Sequence, residues 1–177
     1  PTGIGGLYGR MELLDEMPPY VTGGDMIRQV TFEKTLYNDP PSRFEAGTPP
    51  ISQVIGLGAA VDYMQSIGLD KIAEYENSLL EYGTRRLNEI DGLKIIGTAA
   101  QKASIMSFTC DAVHPHDVVT LLDQDGIACR GGHHYAQPTM QRFQVPATTR
   151  ASVSFYNKFE ELDALAESLK KAIEMFS

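Results

Sequence analysis

Cys129-Arg130-Gly131-Gly132-His133-His134-Tyr135-Ala136-Gln137-Pro138 is the stretch from which the rest of this 177-residue chain can be read. Two glycines free the backbone for tight turns, and Pro138 fixes it again where the segment closes. One arginine and two histidines supply groups that bind anions or move protons near neutral pH. The preceding Gly126-Ile127-Ala128-Cys129 reads as a strand, so the segment is expected to be a rigid polar loop carried by a sheet. Loops of that kind hold function on a scaffold more often than they merely connect it. Arg130, His133, His134 and Tyr135 are therefore the first candidate site residues. As residues, the histidines read equally as ligands, bases or hydrogen-bond partners that stiffen the loop.

Downstream, Arg150-Ala151-Ser152-Val153-Ser154-Phe155 alternates strictly, with Ala151, Val153 and Phe155 on the buried face. That leaves Arg150 on the polar face with Ser152 and Ser154. An arginine fork grips a carboxylate through two parallel hydrogen bonds, although a lone strand arginine more often faces solvent. Asn157-Lys158-Phe159-Glu160 resembles a capping box with Asn157 as the cap. Beyond it Phe159, Leu162, Leu165, Leu169, Ile173 and Phe176 form one helical stripe.

Upstream, Pro115 opens a helix carrying Val118, Leu121 and Leu122, which Gly126 closes. Leu93–Ile96 and Ser104–Phe108 read as strands across a polar turn. Asp70 is the expected N-cap of a helix whose stripe is Ile72, Tyr75, Leu79, Tyr82 and Leu87, ending at Asp91-Gly92. The order α-β-β-α-β-β-α predicts an α/β unit, a small sheet with helices on one face. Before it, residues 52–67 form a helix that is apolar nearly all round, a pattern expected to be buried.

Residues 1–50 differ in kind. They are rich in glycine and proline, with a short helix between Met11 and Met17 stopped by Pro18-Pro19, then loops and hairpins. So irregular a span needs a partner surface. Within it, Gly47-Thr48-Pro49 would let backbone and hydroxyl approach a phosphate closely, or would simply end a turn before the next helix. The expected organisation is thus residues 1–50, a connecting helix over 51–69 and a small domain over 70–177.

Composition excludes several functions. The formal charge is −8, and the fifteen basic residues are scattered, never more than two together, so no face is offered to nucleic acid. No apolar run approaches the ~20 residues that span a bilayer. Two cysteines, Cys110 and Cys129, cannot build a disulfide framework and point to a reducing cytoplasm. The spacings among His114, His116, Cys129, His133 and His134 do not suit structural zinc, so no metal is expected.

Three motifs then fall in one order. Pro1-Thr2-Gly3-Ile4-Gly5-Gly6-Leu7-Tyr8, Arg43-Phe44-Glu45-Ala46-Gly47-Thr48-Pro49 and Arg130 to Pro138 each resemble segments of the Suf-type cysteine desulfurases and selenocysteine lyases, in the class V aminotransferase family. Arg150-Ala151-Ser152 resembles the family's Arg-x-Ser. The resemblance covers essentially the whole chain. It implies the carboxy-terminal half of a fold-type I, pyridoxal 5'-phosphate-dependent transferase, with residues 1–50 closing the large domain. It places the lysine that holds the cofactor a few residues before Pro1, on an amino-terminal half absent from this sequence. It further implies a cytoplasmic homodimer acting on L-cysteine or L-selenocysteine for iron–sulfur cluster assembly, with a sulfur-acceptor protein as a further partner. Arg150 would clamp the substrate carboxylate, Gly47 and Thr48 would contact the cofactor phosphate, and Arg130, His133 and His134 would shape the active loop.

One letter departs from the pattern. The family loop reads Arg-x-Gly-His-His-Cys-Ala-x-Pro, and its cysteine is the nucleophile that takes sulfur. Here that position is Tyr135. A phenol is a much poorer sulfur nucleophile than a thiolate. Desulfuration is therefore expected to be impaired, and the chain alone, without its lysine, inactive; the alternatives are a class V enzyme with thiol-independent chemistry and a non-catalytic dimerisation module.

Overall fold

The computed structural model describes residues 3–111 and 113–176. The chain divides into two compact units, residues 1–66 and 67–177.

The first unit is held together mainly by its backbone. Helix α1 (Met11–Glu16) is followed by the antiparallel hairpin of β1 (Ile27–Val30) and β2 (Thr35–Tyr37), a single 3-10 turn (Ser42–Phe44) and helix α2 (Ile51–Ile67). The Thr31 hydroxyl closes the hairpin turn by accepting the N–H groups of Glu33 and Lys34 at 3.2 and 3.1 Å. Arg43 knits the unit. Its Nε donates to the Asn38 carbonyl at 3.1 Å, and its Nη1 donates to the Asp15 carbonyl at 2.8 Å. A cation thus sits where the end of α1 presents unpaired carbonyls and the negative pole of its dipole. Among the described residues of this unit, Met26 is the only fully buried apolar side chain. Helix α2 buries none of its side chains, with Ile55 68% exposed. The burial expected from its apolar pattern is not met, because no described segment covers that face.

The second unit has its own core. Helix α3 (Leu69–Asn88) leads to β3 (Leu93–Ile96), β4 (Ile105–Cys110), α4 (Pro115–Gln124), β5 (Arg130–Gly132), α5 (Gln137–Phe143), β6 (Thr148–Ser152) and α6 (Phe159–Glu174). The four strands form one antiparallel sheet in the order β3-β4-β6-β5. Leu79 and Leu87 of α3, Leu122 of α4 and Leu169 of α6 pack on Met106 and Phe108 of the sheet. Gly83 is what lets α3 come close. A Cβ there would lie 2.6 Å from Met106 Sδ and 3.1 Å from Leu162 Cδ2. Among the described residues no helix is long and apolar enough to cross a membrane.

Several local expectations change. The strand expected over Arg150–Phe155 runs instead from Thr148 to Ser152, and Val153 to Phe155 lie beyond its end. The strand expected at Gly126–Cys129 lies beyond that segment, at Arg130–Gly132. The Ile127 N–H is spent on the Leu122 carbonyl at 2.9 Å, closing α4 rather than joining the ladder. The segment from Ile127 to Cys129 therefore stands off from Ala151–Val153, and a cavity of about 370 Å³ lies between them. Helix α5 was not foreseen, since its only buried side chain is Met140 and it shows no stripe. The cap of α3 is Gly68, at φ +100°, with Asp70 in the first turn beside the positive end of the dipole. The cap of α6 is Lys158, whose N–H donates to Glu161 Oε2 at 2.9 Å, while Asn157 instead accepts the Ser154 N–H at 2.8 Å.

Candidate active site

Two neighbouring strands place the charges. Arg130 of β5 pairs in register with Arg150 of β6, and Arg150 pairs with Ser107 of β4, so the three lie in one row across the sheet. Like charges directly opposite on adjacent strands repel. Neither arginine has an ion-pair partner among the described residues. Arg150 is half-buried, and its Nε is a buried donor without an acceptor. A buried, unsatisfied cationic donor is costly, which makes Arg150 a candidate for holding a ligand. A carboxylate spanning this guanidinium would satisfy the donor and offset the repulsion from Arg130.

The end of β6 is fixed by a residue that the sequence did not suggest. Glu76 of α3 accepts the Ser154 hydroxyl at 2.7 Å and the Phe155 N–H at 3.1 Å through Oε1. Its Oε2 accepts the Ser104 hydroxyl at 3.3 Å. The available signal was its place in the helix, four residues from both Ile72 and Leu80, which are buried.

The loop begins under steric constraint. A Cβ on Gly131 would meet the Pro115 carbonyl oxygen at 2.8 Å and Val119 Cγ2 at 3.0 Å, so β5 lies flat on the first turn of α4. Beyond it the chain turns through two consecutive left-handed residues, His134 at φ +53° and Tyr135 at φ +56°. Side chains with a Cβ resist that conformation, and such residues persist where surrounding bonds hold them. Tyr135 N–H donates to His133 Nδ1 at 3.1 Å, and the Ala136 N–H donates to the His133 carbonyl at 2.8 Å. His134 Nε2 lies 3.1 Å from the Thr148 carbonyl oxygen and 2.9 Å from its Oγ1.

Burial, and then the charge of Arg150, push the His134 imidazole below its ordinary range. It is therefore neutral near pH 7. Its one ring proton belongs on Nε2, facing the Thr148 carbonyl, because a carbonyl only accepts. Nδ1 is then a buried acceptor with no partner. Thr148 is 1% exposed and was not among the residues suggested by the sequence, since a threonine pair before a strand arginine carries no signal.

Tyr135 stands at the loop tip, 88% exposed. Its ring meets His133 edge-on at 5.8 Å, and the Arg130 guanidinium lies 6.0 Å from its centroid. Neither cysteine takes the place of a nucleophile at this tip. Burial pushes the Cys129 thiol up to about 11, and burial with the nearby Asp111 pushes Cys110 up to about 11. Both are protonated near neutral pH.

Arg130, His133, His134, Tyr135 and Arg150 are thus gathered within the second unit. Gly47 and Thr48 belong to the first. Gly47 has φ +80°, its N–H donates to the Gly24 carbonyl at 2.9 Å, and a Cβ there would meet nothing within 4 Å. Thr48 beside it is exposed. An open glycine with a neighbouring hydroxyl suits a phosphate, and the orphaned Arg150 Nε suits the carboxylate of an amino acid. The seven lysines lie elsewhere, with Lys102 donating to the Gly97 carbonyl and Lys170 paired to Glu167.

Residues 1–165 match the family model for class V aminotransferases. The chain belongs to the class V aminotransferase family. It is 52% identical over 171 residues to a cysteine desulfurase of Synechococcus elongatus, covering 97% of this chain and 27% of that protein. It is 49% identical over 178 residues to a protein of Streptomyces coelicolor described as a probable cysteine desulfurase, covering 99% of this chain and 43% of the other. The fold superposes on the crystal structure of the Escherichia coli cysteine desulfurase CsdA with a TM-score of 0.93 at 37% identity, over 100% of this chain and 44% of that one. The chain thus spans less than half the length of these relatives. The mixed α/β architecture is that of the class V fold, and the pyridoxal phosphate of that family is the cofactor with which Gly47, Thr48 and Arg150 are chemically compatible.

Proposed function

We propose that this chain is the carboxy-terminal part of a Suf-type desulfurase, or of a selenocysteine lyase of the same group, in which Tyr135 occupies the position of the nucleophilic cysteine. The observation that carries this is the pairing of Arg130 with Arg150, with an orphaned buried Nε, beneath a strained loop that presents residue 135. In the intact protein pyridoxal phosphate supplies an electron sink for bonds at the amino acid α-carbon. Gly47 and Thr48 hold its phosphate, Arg150 orients the substrate carboxylate, and the neutral His134 and its neighbour His133 keep the loop in shape. Cysteine or selenocysteine is the substrate, and the protein works as a cytoplasmic homodimer that passes sulfur to an acceptor protein for iron–sulfur clusters. With a phenol at position 135 the sulfur-accepting step lacks its thiolate, so desulfuration is very slow. This chain by itself is inactive.

Tyr135 also favours a second reading, a class V enzyme whose chemistry needs no thiol. One experiment separates the two. In the intact protein, sulfide release from cysteine under a reductant is compared for the native loop and for Tyr135→Cys, with an assay for thiol-independent lyase products run alongside. The expected result is a gain of several orders of magnitude in sulfide release on introducing the cysteine, the usual scale for a covalent nucleophile. Equal sulfide release by both forms would place the nucleophile elsewhere and overturn the reading of this loop. Strong lyase activity in the native form, unaffected by Tyr135→Cys, would establish the second reading.

A further inference from the structure

The two loop histidines are bonded to different things. His133 closes on the loop itself, its Nδ1 accepting the Tyr135 N–H and its carbonyl accepting the Ala136 N–H. These bonds stiffen the turn but do not tie it to the sheet. His134 reaches outside the loop, to Thr148. Thr148 is also the residue opposite Gly132 in the last rung of the β5–β6 ladder. The tip therefore folds back over its own final rung and fastens there a second time. Arg150 lies two residues further along the same strand, on the same side of the sheet as Thr148. Thr148, at 1% exposure, is a fixed point.

We propose that His134 is the positioning residue that sets residue 135 relative to Arg150, by pinning the strained loop tip to β6 through Thr148. This rests on the reading of the segment as the working loop. Its chemical requirement is a single N–H donor at the reach of Nε2, aimed at the Thr148 carbonyl. The charged and titratable groups around the ring are Arg150 from β6, Arg130 from β5 and His133 from the loop, and each disfavours a positive imidazole. His134 is thereby held as a neutral donor instead of a proton carrier. Without the pin, two left-handed residues at the tip would relax toward ordinary backbone angles, and residue 135 would move while Arg150 stayed in place.

The test uses the intact protein with Tyr135→Cys, in versions with His134, His134→Ala, His134→Gln and Thr148→Val. A glutamine amide reaches about as far as imidazole Nε2 and keeps a donor, whereas alanine removes it. The first readout is amide hydrogen exchange over residues 133–136, which needs no activity. His134→Ala should speed it roughly tenfold or more, as expected when a local restraint is lost, and His134→Gln should restore protection. The second is steady-state kinetics on cysteine. Misplacement of a reacting group by about 1 Å costs on the order of a hundredfold, so kcat should fall by about 10- to 100-fold in His134→Ala. KM should move less than about threefold, because carboxylate binding by Arg150 is untouched. Thr148→Val keeps the carbonyl but loses the 2.9 Å hydroxyl contact, so its exchange and kcat should lie between those of the His134 and His134→Ala versions. Unchanged exchange in His134→Ala overturns the proposal. So does faster exchange with unaltered kcat, or failure of His134→Gln to restore either readout. If no version releases sulfide, the functional reading of the loop fails, while the exchange result still decides whether His134 holds the tip.

Discussion

The two units of this chain solve the problem of burial differently. The second unit covers its sheet with α3, α4 and α6, and its large side chains are lost from solvent: Phe108, Leu79 and Leu169 are all 0% exposed. The first buries Met26 and little else, while Leu7, Tyr8 and Tyr20 are 85%, 92% and 95% exposed and Phe32 is fully so. Large apolar side chains left this exposed make the first unit the one suited to contacts with another surface. The first unit is thus organised by backbone and polar bonds, with its apolar surface held out, whereas the second is organised by packing. The chemistry follows the same division. In the proposed function Arg130, His134 and Arg150 are the groups to be held in place, and they sit on the packed unit, whereas Gly47 and the exposed Thr48 sit on the other.

The sharpest way to break this contrast is to remove one aromatic side chain from each unit. Phe108→Ala should cost about 3–5 kcal/mol, as large-to-small changes at fully packed sites do, lowering the melting temperature by upwards of roughly 10 °C. Phe32→Ala should cost less than about 0.5 kcal/mol, since nothing covers the ring, and should reduce self-association instead. Calorimetry and light scattering on both variants measure these effects. Equal destabilisation would mean that the first unit has a core of its own.

A smaller effect should come from Arg43. Its guanidinium bonds the Asn38 carbonyl and the carbonyls at the end of α1, and those acceptors would lose a charged donor. Arg43→Ala should therefore loosen the first unit by about 1–3 kcal/mol, the scale of hydrogen bonds to charged groups. Exchange of the amides of α1 and the hairpin should rise, with those of β4 and β6 unaltered. A rise spread evenly over the whole chain would contradict the division into two units.

The same contrast explains what the sequence made legible. Helices α3 and α6 and strands β3 and β4 are packed elements, and their apolar periodicity states the packing directly. The loop was legible because its residue types are rare in combination. Strand β5 was misplaced because the Ile127 N–H bonds the Leu122 carbonyl and the ladder to β6 begins only at Arg130, neither of which a side-chain pattern encodes. Helix α5 escaped for want of a stripe, and Thr148 because its role lies in its carbonyl as much as in its hydroxyl. The exposure of α2 was invisible for another reason. Its pattern says only that it is to be buried, and what buries it is not stated by its own residues.

The smallest expected effect concerns pH and is confined to the second unit. The pKa of His134 is lowered in the folded state, chiefly by burial and then by Arg150. Between its ordinary and its lowered value, the unfolded chain binds a proton that the folded chain does not. Stability therefore rises with pH across that window and is lost as pH falls below the ordinary histidine range of about 6.5. Protonation also converts Nδ1 into a donor among cations while leaving Nε2 on Thr148. The loss should thus appear locally, as faster amide exchange over residues 133–136 once corrected for intrinsic rates, before any change in β4. His134→Gln cannot titrate and should flatten the response. A profile that is identical in His134→Gln would assign the pH dependence to groups other than His134 and overturn this expectation.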